Sequence, residues 1–86
     1  MAAQTARINE PVVITAKENE YFPKAFVWRG QRHIVQAVER CWTISRRHWQ
    51  GRVQQHCFRV RTPEATYVLS QDLSHDTWRV DQVVRR

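Results

Sequence analysis

Arginine and tryptophan are the residues of this chain whose types and spacing could do chemistry. Between residues 25 and 61 there are eight arginines (Arg29, Arg32, Arg40, Arg46, Arg47, Arg52, Arg59 and Arg61) against one acid, Glu39. The same segment holds Trp28, Trp42 and Trp49, three of the four tryptophans. The flanks nearly balance, so the net charge of +6 belongs to the middle of the chain. A guanidinium makes paired hydrogen bonds to phosphate and stacks on flat rings, and an indole stacks on a base. The combination suits a polyanion whose bases have flat faces. Twelve arginines to two lysines is also what a GC-rich genome would favour, but codon bias does not explain where the charge sits.

Trp49 lies between Arg46, Arg47, His48 and Arg52. Two readings stand open. The ring is an exposed platform for an unpaired base while the arginines hold adjoining phosphates, or it folds back as a lid over solvated charges. Arg59 and Arg61 share one strand face by alternation, and Arg29 and Arg32 bracket a glycine turn. If that turn lies beside the strand, the four make a basic surface as wide as a nucleic-acid strand; otherwise they are separate surface charges. The expected nucleic-acid-binding set is Arg29, Arg32, Arg46, Arg47, Trp49, Arg52, Arg59 and Arg61. Low sequence specificity is expected, because nothing resembles a recognition helix.

Other chemistry finds less support. Cys41, His48, His56 and Cys57, with His33 and His75 further out, include no Cys-x-x-Cys or His-x-x-x-His pair, so no metal is expected. His56 and Cys57 are adjacent, and on a strand they point to opposite faces, which rules against a nucleophile–base pair. Asp72 and Asp76 suit turn chemistry, and no glycine-rich phosphate cradle occurs. Neither an enzyme nor a cofactor is expected.

These residues must be positioned by one small domain. Eighty-six residues at 42% hydrophobic content support a single thin core. No apolar run approaches the roughly 20 residues that span a bilayer, and MAAQTARINE has no signal-peptide core, so a cytoplasmic protein with reduced thiols and no membrane partner is expected. Residues 1–10 are polar and expected to be a flexible segment, with residues 11–86 as the domain. Val12 to Thr15 reads as a strand. Ala25 to Trp28, Arg29-Gly30 and the run from Ile34 suggest a hairpin centred on Gly30. Residues 34–44 fit a strand with a bulge near Glu39-Arg40 better than a helix, and Ser45 to Gly51 reads as a charged loop. Val53 to Arg61, Tyr67 to Leu69 and Trp78 to Val84 complete the strands. Trp28 and Trp78 are the expected core pair, and Trp42 could face either way. The pattern predicts a mainly β fold, a small antiparallel barrel, SH3-like or OB-like, of five to six strands.

Several landmarks recur in one order: Pro23, Phe26, Trp28 and Gly30; Val35, Val38 and Trp42; Trp49; Phe58-Arg59-Val60; Tyr67 and Leu69; Trp78. In this the chain resembles an uncharacterised family of small bacterial domains that occur alone or appended to proteins resembling Y-family DNA polymerases. The resemblance implies a DNA-transaction context and assigns no catalytic residue. Two functions follow as expectations. One is a non-enzymatic nucleic-acid-binding module for DNA or RNA. The other is an SH3-like adaptor, monomer or homodimer, that docks an acidic or hydrophobic segment of a protein partner.

Overall fold

Phe58 and Val60 are fully buried while their neighbours Arg59 and Arg61 are exposed, and this alternation along one strand sets the two faces of the whole sheet. The structure, a computed structural model, describes residues 4–48 and 51–85. Seven strands follow in order: β1 (Gln4–Glu18), β2 (Phe22–Trp28), β3 (Gln31–Ile34), β4 (Ala37–His48), β5 (Gly51–Arg61), β6 (Thr66–Asp72) and β7 (Thr77–Arg85). All pair antiparallel in the order β3-β2-β1-β7-β6-β5-β4. The barrel expected from the sequence is present, with seven strands in place of five or six.

The sheet rolls over on itself. Phe26 of β2 meets Tyr67 of β6 with ring centroids 5.3 Å apart, and Phe22 meets Phe58 of β5 at 6.1 Å. Trp78 stacks on Phe58 at 5.5 Å. Trp28 and Trp78 are both buried, as the sequence suggested. Rings of this size each contribute about 1.5–3 kcal/mol through burial alone. The edges of the roll are joined through residues 35 and 36. The Val35 amide donates to the Lys24 carbonyl of β2, and the Gln36 amide donates to the Arg61 carbonyl of β5. The chain thus turns a corner there, leaving β2 as its partner and taking up β5.

Local chemistry explains the turns. Arg29 and Gly30 have φ of 52° and 76°, the two positive values that a two-residue hairpin turn of type I′ needs. Asp72 accepts from the amides of Ser74 and His75, the turn role expected of it. β4 carries the expected bulge, where its register against β5 shifts between Val38 and Arg40. The start of the chain differs from expectation. From Gln4 onward the polar stretch read as flexible is strand, and it pairs with β7 from Gln4↔Arg85 to Arg7↔Gln82. Its polarity misled because Thr5, Ala6 and Arg7 are exposed and only Ile8 packs against the core. A bulge follows at Asn9, φ 55°, and Arg79 braces it through bonds of 2.7 Å to the Asn9 side-chain oxygen and to its carbonyl.

Candidate nucleic-acid interface

β4 and β5 pair continuously from Ala37↔Arg61 to His48↔Gly51, apart from the one bulge. Of the charged loop expected at Ser45 to Gly51, Ser45 to His48 and Gly51 are paired strand ends. Nothing in the residue types forbids this, since a ribbon that leaves the body of a domain has no need of an apolar alternation. β6 supports β5 only from Gln55 to Arg61, with one further bond from the Leu73 amide to the Gln54 carbonyl. Beyond that, the pairs Arg46↔Val53, Arg47↔Arg52 and His48↔Gly51 have no third strand beside them among the described residues.

Six arginines lie on this ribbon against the single carboxylate of Glu39. At its base Arg40 stands directly across from Arg59, an arrangement that like charges disfavour. Two contacts relieve it. Arg40 lies over the Trp42 ring, 5.1 Å from its centroid. Glu39, pushed out at the bulge, reaches the Arg59 Nε at 3.3 Å and the Arg61 guanidinium at 3.7 Å. Arg59 and Arg61 remain about half exposed, so such bridges hold them by no more than about 1 kcal/mol. A phosphate can take them over.

Of the expected set, Arg46, Arg47, Arg52, Arg59 and Arg61 come together on this ribbon, and Arg40, Trp42 and Glu39 join them. The sequence reading overlooked those three as site residues, although Arg40 and Trp42, two apart on a strand, share a face by simple alternation. Trp42 is half-buried on the outer face. Trp49, the expected stacking platform, lies outside the described residues.

Arg29 and Arg32 lie on a hairpin that is not paired with the Val53–Arg61 strand, the second of the two arrangements the sequence left open. β5 has β4 and β6 as its neighbours, whereas β2 lies between β1 and β3. Arg32 is exposed on β3 opposite Val27. Arg29 is held by Glu10, whose carboxylate oxygens accept from its Nε at 2.9 Å and its terminal nitrogen at 2.7 Å. The Trp28 indole N–H donates to the same carboxylate at 3.0 Å. The guanidinium, and secondarily the indole, pull the Glu10 carboxyl down to about 2. Arg29 is a structural clamp.

A second feature flanks the ribbon's base. β2 pairs with β3 only from Ala25 to Trp28, so the edge at Phe22 to Lys24 opens toward the outer edge of β4. Between them is a cleft of about 500 Å³, lined by Phe22, Lys24, Val35, Val38 and Cys41 among others. His33, in contrast, is an interior residue: it stacks on Phe26 at 5.0 Å, and neither ring nitrogen has a hydrogen bond. Its nearest acid is Glu64, 3.7 Å from Nδ1.

Cys41 is exposed and Cys57 buried. Among the described residues no cluster of three or more histidine, cysteine or acidic side chains could hold a metal ion, and no helix is long and apolar enough to cross a membrane. No curated protein and no solved structure gives a significant match. The family is nonetheless identified, because residues 1–84 match the domain of unknown function DUF6504, and the chain belongs to that family.

Proposed function

We propose that this domain is a non-enzymatic nucleic-acid-binding module whose interface is the β4–β5 ribbon. The observation that carries the reading is the gathering of six arginines against one carboxylate on two paired strands. Arg46, Arg47, Arg52, Arg59 and Arg61, with Arg40, are the phosphate contacts, and Trp49 stacks on a base exposed beside them. The resemblance to domains appended to Y-family-like polymerases supports a role in DNA repair or replication. Low sequence specificity fits an interface made of phosphate contacts.

The test is a salt series from about 50 to 200 mM with labelled nucleic acid. Binding should weaken steeply, and Arg59→Ala with Arg61→Ala should lower the log–log slope by roughly 1.8 on duplex DNA, about 0.9 for each phosphate that is no longer neutralised. No binding at the lowest salt would sink the proposal.

The cleft favours a second reading. Its lining mixes Phe22, Val35 and Val38 with Glu18, Lys24 and Glu39, and an extended segment of a partner protein could add there as a further strand. A protein that captures such a peptide and ignores nucleic acid would be an adaptor.

A further inference from the structure

We propose that the outer face of the sheet is the track of a nucleic-acid single strand, which runs across β4, β5, β6, β7 and β1 along one row of side chains. The inference rests on the nucleic-acid reading; it carries the interface beyond the β4–β5 ribbon and names the form of nucleic acid.

The row is set by strand register. Arg40 pairs with Arg59, Arg59 with Val68, Val68 with Gln82, and Gln82 with Arg7, so five residues stand side by side on five adjacent strands. Residues directly opposite one another in such a ladder share a face. That face is the outer one. Phe58 and Val60 around Arg59 are buried, as are Tyr67 and Leu69 around Val68 and Val83 beside Gln82. Ile8, next to Arg7, packs against the core. Arg7, Arg40 and Arg59 are exposed, and Val68 and Gln82 are half-buried between them. Trp42, two positions from Arg40, and Arg61, two from Arg59, flank the row by alternation.

Charge and dimensions point to the occupant. Four arginines, Arg7, Arg40, Arg59 and Arg61, stand here against the carboxylates of Glu39 and Asp81, while Arg79 is engaged with Asn9. Arg7 has no hydrogen-bond or ion-pair partner among the described residues. With neighbouring strands about 4.8 Å apart, the row is roughly 19 Å long. A face of that breadth does not enter a major groove about 12 Å wide. A duplex would lie on it by phosphates alone and leave Val68 and Gln82 without contacts. A single strand offers phosphates and unpaired bases together. Its phosphates suit the arginines at the two ends of the row, and its bases suit Val68, Gln82 and the Arg40–Trp42 stack. Sheet faces of about four strands hold two or three bases in this manner.

The experiment measures affinity for one sequence of about 12 nucleotides as single-stranded DNA, single-stranded RNA and duplex DNA, each across a salt series. A single strand should bind about tenfold or more tighter than the duplex, and the tighter of DNA and RNA identifies the ligand. Arg7→Ala should lower the log–log salt slope by roughly 0.7, the share of one phosphate on a single strand. Arg32→Ala, on β3 and outside the row, should leave the slope unchanged. A duplex bound as tightly as the single strands would overturn the row, and so would an unaltered slope for Arg7→Ala; in either case binding at the ribbon would stand. Failure to bind all three at about 50 mM salt would overturn both proposals. The comparison of single strand with duplex needs only the unaltered protein, so a variant that failed to fold would not remove the test.

Discussion

Two arginine sites in this small sheet meet their acids in opposite ways. At the β2–β3 turn, Arg29 lies across Glu10 with two short hydrogen bonds, rests over the Trp28 ring at 4.5 Å, and shares that carboxylate with the Trp28 indole. Both Glu10 oxygens, the Trp28 indole N–H and two of the three Arg29 guanidinium nitrogens are hydrogen-bonded within this cluster. On the ribbon one carboxylate, Glu39, is divided between Arg59 and Arg61 at longer distances, and Arg40 has an aromatic ring as its contact. Matched charge holds a turn in place. Unmatched charge keeps attraction in reserve for something outside the molecule.

The same division appears in the packing. The body of the barrel is a set of interlocked rings from β2, β5, β6 and β7, whereas the last pairs of the ribbon have no third strand beside them among the described residues. Altering the body should therefore change stability, and altering the ribbon should change binding. The largest effect is expected from Phe58→Ala, which removes a fully buried ring that touches Tyr21, Phe22 and Trp78. The cost should be about 3–5 kcal/mol, read from urea or thermal unfolding. A loss below about 1 kcal/mol would mean that the core lies elsewhere.

Glu10→Gln should act next, lowering the unfolding midpoint above the ordinary carboxyl value and leaving it unchanged at the acid end. The Glu10 carboxyl lies near 2 in the folded chain and at 4.5 ordinarily. Its contribution is therefore complete above the ordinary value and disappears as pH falls from there toward 2, because the unfolded chain binds the proton first. The variant should flatten the acid limb of a plot of unfolding midpoint against pH over this window. An unchanged limb would break the clamp interpretation.

The smallest effect on stability belongs to Glu39→Gln, which should stay within about 0.5 kcal/mol because the bridges are exposed. Nucleic-acid affinity should rise instead, by up to about fivefold, as Arg59 and Arg61 are freed of their internal competitor. A titration showing weaker binding would mean that Glu39 orders the arginines and does not damp them.

Much of the fold was legible because period-two alternation and turn chemistry act locally. Phe58-Arg59-Val60-Arg61 announced its two faces, and Arg29-Gly30 its turn, without reference to the rest of the chain. What escaped was set by long-range pairing. Nothing near Glu10 says that it will meet Arg29, and nothing in the polar stretch from Gln4 to Arg7 says that β7 will take it as a partner. The ribbon's outer half was obscured for a different reason: charged residues on strands that run past the core look like a loop. His33 escaped because a histidine surrounded by Phe26, Trp28 and Tyr67 is an interior ring that happens to carry nitrogens. Of the site, the arginines of β5 were legible by residue type and alternation. Their separation from Arg29 and Arg32 was not, since it depends on strand order.

The pairing of Gln4 with Arg85 has a kinetic consequence. Neighbouring strands, β1 with β2 included, can zip up as successive hairpins or short crossings, each closing a small loop of chain. β1 lies between β2 and β7, and to join β7 it must close a loop of nearly the whole polypeptide, which is entropically the most demanding step. Its docking is then the expected late event of folding, on the millisecond-to-second scale typical of such topologies. Until β1 docks on β7, these two strands each present an open edge. The interval before β1 arrives is when this chain is most exposed to pairing with a neighbour.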